Sequence, residues 1–338
     1  MKDIVQNFPA ILSSQKVAPF FMGILIFFPV IVQDPYVLNA VILCMMFAVL
    51  SSSWNFISGY SGIFTFGHQG FFGIGAYFSA LLAMKAGISP WLGLLIGGIV
   101  PAVLGFFVGL PCLRLRAAPY IALTTLAFSE IARITCMNLV ELTRGDLGLW
   151  GIPAFTDIAL PGIGSLSFSG GSRISYYYLI LAIFIITMVV FHLCLKSPIG
   201  LALRSIRDSQ EAAESLGINI TFYKLLAFMM SAFFAGVMGS FYAHYLLILT
   251  PTSVFNVGLM VEIVAITMVG GFGSFWGPVL GAFLLTLGLE YLRFLGEYRF
   301  ITYGILLLIV ILFMPEGLGK KLSRGKEKNK GKVNFVVS

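Results

Sequence analysis

The sequence predicts an all-α fold: a polytopic integral membrane bundle of about 8 to 10 transmembrane helices, with glycine-rich breaks and a short cytoplasmic helix. Of its 338 residues, 59% are hydrophobic and only 10% are charged. The mean hydropathy is +0.97. A chain of this composition cannot fold as an ordinary soluble domain, so the lipid bilayer is its solvent.

Ten apolar segments have about the length that a helix needs to cross the hydrocarbon core. They are residues 17–33, 36–57, 70–87, 91–111, 119–140, 174–195, 225–249, 257–271, 276–292 and 300–315. Several are short or contain Gly and Pro, so the number of full crossings is expected to be about eight to ten.

The positions of Lys and Arg predict that both termini lie in the cytoplasm, because short basic loops stay on that side. Ten crossings place four basic segments inside: residues 1–16, the pair Arg114 and Arg116, the loop 196–224 and the tail 320–338. The transmembrane domain then covers residues 17–319, and the connection 141–173 lies outside. We expect the basic tail to rest on anionic lipid, and nothing indicates a nucleic-acid surface.

Two segments rich in glycine and aromatic residues, 59–77 and 270–282, interrupt the apolar runs. Backbone that leaves the helical conformation within lipid must be buried in protein or must face a water-filled cavity. We therefore expect both segments in the bundle interior. Gly273, Gly277 and Gly281 recur at the spacing that lets helices approach closely, so tight packing alone is the alternative explanation.

A polar segment at 197–224 stands out from its apolar surroundings. Ser197 is predicted to cap a helix whose first residue is Pro198. The expected apolar side consists of Leu201, Leu203 and Ile206, and the expected wet side of Arg204, Arg207 and Asp208. Glu211, Ala212 and Ala213 continue as helix, and Gly217 fits a helix stop. Such a helix could seat in a groove of a soluble partner, or it could be an ordinary amphipathic loop at the membrane surface.

Several motifs occur in an order that gives this chain a family resemblance. They are GHQGFFGIGAY at 67–77, LRLRAAPYIALTTLAFSEIARI at 113–134, LTRGDLGLWGIP at 142–153, ALRSIRDSQEAAESLGI at 202–218, YKLLAF at 223–228, GGFGSFWGPVLGA at 270–282 and MPEGLG at 314–319. The segment EAAESLG at 211–217 resembles the coupling loop of ABC-importer permeases. Together the motifs resemble branched-chain amino acid ABC permeases of the LivM type.

This resemblance implies that the chain forms one half of the pore of an ATP-driven importer in the bacterial cytoplasmic (inner) membrane. The implied partners are a second permease of the LivH type, two ATP-binding cassette ATPase subunits and an extracytoplasmic substrate-binding protein. The residues that the resemblance implies for coupling to the ATPase are Arg204, Arg207, Asp208, Glu211, Ala212, Ala213 and Gly217. The family also includes permeases for urea and short amides, and Gln69 stands where relatives often have a small residue, which leaves the substrate's polarity open.

The chain itself is not expected to be an enzyme or to hold a cofactor. It lacks the glycine-rich phosphate loop of an ATPase, and Cys44, Cys112, Cys136 and Cys194 have no metal-ligand spacing. ATP must then act through a partner. An ion-coupled secondary transporter is the competing class, since it too would be polytopic and interrupted by helix breaks.

Charged and polar groups within the predicted spans are candidates for a pathway, because each is costly to bury alone. Glu130 and Arg133 are spaced to form a structural ion pair. Glu262 has no charged neighbour within one turn and is the stronger pathway candidate, with a hydrogen bond to Thr267 or to a neighbouring helix as the alternative. Thr65, His68 and Gln69 could line a cavity, and the outer charges Arg144 and Asp146 could dock the binding protein. No role is predicted for His192, His244 or Glu290.

Overall fold

The computed structural model describes residues 17–115, 118–160, 164–168, 173–292 and residue 304. The predicted all-α membrane fold is confirmed. The first half contains α1 Val17–Ile31, α2 Pro35–Ser61, α3 His68–Lys85, α4 Pro90–Cys112, α5 Ala118–Asn138 and the single turn α6 Val140–Thr143. The second half contains α7 Arg173–Lys196, α8 Pro198–Asp208, α9 Gln210–Ser215, α10 Ile220–Leu246, α11 Pro251–Val254, α12 Val257–Gly270 and α13 Gly277–Tyr291.

Within the described residues, β structure is confined to two small antiparallel pairs. A short 3₁₀ turn at Gly145–Leu147 leads into β1, and the strands are β1 Leu149–Trp150, β2 Ile158–Leu160, β3 Gly164–Leu166 and β4 Ile248–Leu249. β1 pairs with β4, with Leu149 opposite Leu249. β2 pairs with β3. The first pair joins the predicted outer connection to the end of α10.

Five stretches among the described residues are long and apolar enough to cross a membrane: Pro35–Ser61, Pro90–Cys112, Arg173–Lys196, Ile220–Leu246 and Pro251–Gly270. Met22–Ile31 and Gly277–Tyr291 are shorter apolar helices. The predicted spans 70–87 and 119–140 are also helical, as α3 and α5, but they carry more polar residues. The predicted span 300–315, the segment 1–16, Arg116 and the tail 320–338 lie outside the described residues.

The helix ends follow the caps that the sequence provides. The Asp34 carboxylate accepts a hydrogen bond from the Tyr36 amide at 2.8 Å, ahead of α2. The Asn219 side chain accepts one from the Phe222 amide at 3.0 Å, ahead of α10. These bonds satisfy amides that have no partner within the helix. α10 therefore begins at Ile220, before the predicted apolar run at 225, because the cap sets the boundary and hydropathy does not.

α2 lies at the centre of the bundle and is the most buried of the five long apolar stretches. It contacts α7, α10, α12 and α13. Its C-terminal half is unusually polar for so buried a helix, with Ser51, Ser52, Ser53, Asn55, Ser58 and Ser61 all buried. The central helix therefore combines a packing role with a concentration of hydrogen-bonding groups.

Glycine allows the closest helix contacts. A Cβ atom at Gly75 of α3 would lie 2.5 Å from the Cα of Gly236 in α10 and 2.6 Å from the Gly97 oxygen in α4. A Cβ at Gly281 of α13 would lie 3.0 Å from the Cα of Gly270 in α12. Any side chain at these positions would push the backbones apart, so the small residues predicted around 270–282 do serve tight packing.

α1 is held against α7 by a hydrogen bond and an aromatic contact of Tyr177. Pro29 lies inside α1 and lacks an amide hydrogen, so the carbonyl of Leu25, four residues earlier, loses its helical partner. The hydroxyl of Tyr177 in α7 donates to that carbonyl at 2.7 Å. The Phe28 ring stacks on Tyr177 with centroids 6.2 Å apart. The proline thus creates an acceptor that a neighbouring helix satisfies.

Candidate functional site

The polar segment at 197–224 forms two short helices, α8 and α9, joined at Ser209. Ser197 caps α8, and its hydroxyl accepts from the Ile199 amide at 3.2 Å. Ser209 has extended backbone, with φ −157° and ψ 112°, and its side chain accepts from the Ala212 amide. Gly217 has φ +79° and closes α9, since its amide donates to the Glu214 oxygen at 2.9 Å. The cap and stop match the sequence patterns.

α8 buries one side against the bundle. Leu203 and Ile206 are buried, but Leu201 is 70% exposed, so its predicted place on the apolar side is wrong. Leu201 and Leu203 are two positions apart, which turns their side chains to nearly opposite sides of a helix. Ala202 takes the buried position instead, and Leu201 is left on the accessible surface.

The accessible surface of α9 consists of Glu211, Ala212, Glu214 and Ser215, followed by Leu216 and Gly217. Leu216 is 79% exposed despite its apolar side chain. Ala213 is buried and so holds α9 in place; it is not on the surface that a partner could touch.

Two arginines of α8 reach the end of α2. The Arg204 guanidinium lies over the Tyr60 ring, 5.6 Å from its centroid. Nη1 of Arg207 donates to the carbonyl oxygen of Gly59 at 2.9 Å. The Nε and Nη2 atoms of Arg207 both donate to Asp208, at 3.2 and 3.1 Å. Asp208 remains largely exposed, whereas Arg207 is directed toward the bundle.

The predicted pathway residues at the first break are packed inside the subunit. Thr65, His68 and Gln69 are all buried. Nε2 of His68 and the Ser53 hydroxyl are 2.8 Å apart. The Gln69 amide nitrogen donates to the Ser129 hydroxyl at 2.8 Å, while its oxygen has no partner among the described residues. These groups join α2, α3 and α5.

Glu262 of α12 is partly exposed, next to the exposed Val261. The Thr267 hydroxyl lies 2.9 Å from the Ile263 carbonyl oxygen, to which it donates. It also approaches the Ser51 carbonyl oxygen at 3.3 Å. Both contacts of the Thr267 hydroxyl are to main-chain oxygens, so the suggested hydrogen bond between Thr267 and Glu262 is not among those observed.

Glu130 and Arg133 meet one turn apart on α5. Nε of Arg133 donates to Oε2 of Glu130 at 2.8 Å. Nη1 of Arg133 lies 3.2 Å from the sulfur of Met137. Both charged side chains are about a third exposed, at 29% for Arg133 and 32% for Glu130. The geometry is that of a local ion pair which remains accessible from one side.

The predicted outer charges lie on a structured turn. Arg144 and Asp146 are exposed, and Arg144 has the left-handed φ of +59°. The turn is held in place by a hydrogen bond, which the Thr143 hydroxyl donates to the Leu139 oxygen at 2.8 Å. The β1–β4 pair follows directly. The two charges are therefore presented on a fixed ridge.

Sequence reasoning missed His244, which is fully buried near the end of α10. Nδ1 lies 2.7 Å from the carbonyl oxygen of Pro153, and Nε2 lies 2.8 Å from the Ser79 hydroxyl. The main-chain oxygen of His244 accepts from the Tyr176 hydroxyl at 3.0 Å. One side chain thus joins α3, α10 and the segment after β1. A lone histidine near a span end gave no signal of this arrangement.

The segment after β1 is also held by aromatic contacts. Trp91 donates from Nε1 to the Thr156 hydroxyl at 3.0 Å, and its ring lies 4.8 Å from that of Phe155. Phe155 in turn contacts the His244 ring at 5.1 Å. These contacts fasten the predicted outer segment to α4 and α10.

Over the described residues there is no group of three His, Cys, Asp or Glu side chains that could hold a metal ion.

Comparisons with known proteins agree with this arrangement. A family model described as the permease component of branched-chain amino acid transport systems matches residues 36–314. The high-affinity branched-chain amino acid permease LivM of Salmonella typhimurium is 34% identical over 81% of this chain and 68% of its own length. LivM of Escherichia coli is 34% identical over 82% and 68%. The nucleoside ABC transporter permease NupC of Lactococcus lactis is 27% identical over 58% and 63%. No solved structure matches the chain significantly.

Proposed function

Because this chain belongs to the family of branched-chain amino acid transport permease components, we propose that it forms half of the pore of an ATP-driven importer. The other half is a second permease of the LivH type. Two ATPase subunits bind on the cytoplasmic side, and an extracytoplasmic binding protein delivers the substrate. ATP is used by those partners, and this chain holds no cofactor. We place it in the cytoplasmic membrane with both termini inside.

The observation that carries this proposal is the α8–α9 pair. Its buried side is fixed to the bundle through Leu203, Ile206 and Ala213, while Glu211, Ala212 and Gly217 stay accessible. A soluble ATPase that drives a membrane domain needs an exposed, charged contact surface that is rigidly attached to that domain. A secondary transporter has no need for such a surface, so the pair favours the ATP-driven class.

For the substrate we propose a branched-chain or other hydrophobic amino acid. The LivM permeases of Salmonella typhimurium and Escherichia coli cover more of this chain, at higher identity, than the nucleoside permease does. Thr65, His68, Gln69 and Glu262 remain our candidates for the pathway. In the single subunit the first three are buried, so a pathway that uses them must open through movement of α3 relative to α2 or α5.

Charge reversal on α9 tests the coupling role. In the purified complex, Glu211→Lys places a cation on the exposed surface, and Gly217→Asp puts a side chain where φ is +79°. We expect each variant to lose assembly with the ATPase or to lose substrate-stimulated ATP hydrolysis. Glu141→Lys, an exposed reversal on the opposite side of the membrane, is the matched control. If both α9 variants assemble and respond like the wild type, the coupling role is wrong.

The competing class has its own test. Vesicles that contain this chain alone, with radiolabelled leucine outside and an ion gradient but no nucleotide, should not accumulate leucine. Uphill accumulation under those conditions would favour an ion-coupled carrier. Vesicles with the complete complex and ATP provide the positive control.

A further inference from the structure

We propose that Arg207 acts as a transmission residue, which ties the motor-docking helices to both glycine-rich breaks of the bundle. The inference rests on the proposed function, since it assigns how force leaves α8. It also departs from the role predicted for Arg207, which was direct contact with the ATPase. Its observed partners belong to the bundle and to the neighbouring Asp208.

The first tie is to the end of α2. Gly59 lies in the last turn of α2, where carbonyl oxygens have no amide partner further along the helix. The negative end of the helix dipole also lies there, which favours a cation. Nη1 of Arg207 donates a hydrogen bond to the Gly59 oxygen at 2.9 Å. The contact is therefore a charged hydrogen bond to a group that would otherwise be left unsatisfied.

The second tie is to the break between α12 and α13. A Cβ atom at Gly59 would lie 2.9 Å from the Gly273 amide nitrogen, and one at Gly273 would lie 3.1 Å from Nη1 of Arg207. Asn55, one turn earlier on α2, accepts from the Gly273 amide and donates to the Ser274 oxygen, both at 2.8 Å. The guanidinium thus sits where α8, α2 and the second break meet.

The guanidinium is held in one orientation. Asp208 accepts from Nε and Nη2, which leaves Nη1 directed at Gly59. Arg204 packs on the Tyr60 ring one turn away, and the backbone of Arg207 is also close to the first break, 3.6 Å from a Cβ built at Gly62. A tilt of α8 would therefore pull directly on the end of α2, and through Asn55 of α2 on the segment 271–276. A displacement of α8 reaches α13 along the same route.

The first experiment compares Arg207→Gln with Glu211→Lys in the purified complex. We expect the Arg207 variant to assemble, as measured by size-exclusion chromatography. The amount of radiolabelled leucine transported per ATP hydrolysed should fall about tenfold, the size expected for losing one charged hydrogen bond. The coupling ratio, and not stability, is the readout, so a purely structural role would leave it unchanged.

The outcomes separate the two assignments. Failure of Arg207→Gln to assemble, or an unchanged coupling ratio, would overturn the transmission role and leave the docking surface on α9 intact. An uncoupled Arg207→Gln together with a normal Glu211→Lys would support transmission and refute the docking role of α9.

A second experiment replaces the contact between Arg207 and the end of α2 with a disulfide bond. A Cβ built at Gly62 lies 3.8 Å from the Cβ of Arg207, which is the distance found across disulfides. We would make Gly62→Cys with Arg207→Cys in a chain whose four native cysteines are alanine. Oxidation should restore the coupling ratio that the reduced protein has lost. Equal ratios in the two redox states would contradict the proposal, and Gly62→Cys alone controls for strain at its φ of +74°.

Discussion

At the scale of single residues, His244 shows how one buried group can connect distant parts of the chain. A carbonyl oxygen only accepts hydrogen bonds, so Nδ1 must carry the hydrogen that reaches Pro153. In the neutral ring Nε2 is then the acceptor for the Ser79 hydroxyl. The imidazole satisfies one donor and one acceptor in a site without water access, and its tautomer is set by its neighbours.

We therefore predict that His244→Ala is destabilising. The change leaves the Ser79 hydroxyl and the Pro153 carbonyl unpaired, at a cost of about 1–3 kcal/mol each. The midpoint of thermal unfolding of the purified protein in detergent is the measurement. His192→Ala, at an exposed position on α7, should leave the midpoint nearly unchanged. Equal midpoints for the two variants would show that the His244 hydrogen bonds contribute little.

At the scale of helices, the sequence predicted where the elements lie better than it predicted their contacts. Apolar runs, Ser197 and Gly217 identified helices and their ends, because these depend on neighbours along the chain. Hydropathy misplaced the start of α10. Arg207 is exposed, as expected, but no sequence pattern indicated its hydrogen bond to Gly59, 148 residues away. Contacts of that separation follow from tertiary packing, which no local pattern encodes.

The glycines between α3, α4 and α10 provide a prediction at this scale. Gly75→Ala inserts a methyl group 2.5 Å from the Cα of Gly236, so the helices must separate, at a cost of about 1–3 kcal/mol. Gly288→Ala is the matched control on α13, since no atom lies within 4 Å of its Cβ position. It should be neutral or should raise stability by up to about 1 kcal/mol. Thermal unfolding compares the two, and a Gly75→Ala midpoint at or above the wild type would refute the close approach.

At the scale of the whole molecule, the two ends of α10 connect to different functional surfaces. Near its C-terminal end, His244 and the β1–β4 pair fasten the segment that follows the Arg144–Asp146 ridge. Near its N-terminal end, Lys224 donates to Gln210 of α9 at 2.9 Å. One helix therefore contacts both the predicted platform for the binding protein and the helix pair proposed to face the ATPase.

We predict that reversing both ridge charges, Arg144→Glu with Asp146→Lys, slows association with the binding protein. Charges at the edge of an interface mainly steer the encounter, so the effect should be about tenfold or less and should shrink as salt is added. Surface plasmon resonance at two ionic strengths measures the association rate. An association rate that matches the wild type at low salt would remove Arg144 and Asp146 from the docking surface.

The bond between Tyr177 and Leu25 has a consequence for how this sequence can vary. The phenol is needed only because Pro29 cannot supply an amide hydrogen, and inside lipid no water can take its place. If another amino acid replaced the proline, α1 would close its own ladder and the Tyr177 hydroxyl would become dispensable, while the buried ring would still pack on Phe28. If the tyrosine were lost first, the Leu25 carbonyl would be left without a hydrogen-bond partner in hydrocarbon. In descendants of this chain, position 29 should therefore change before position 177, and the two identities should covary.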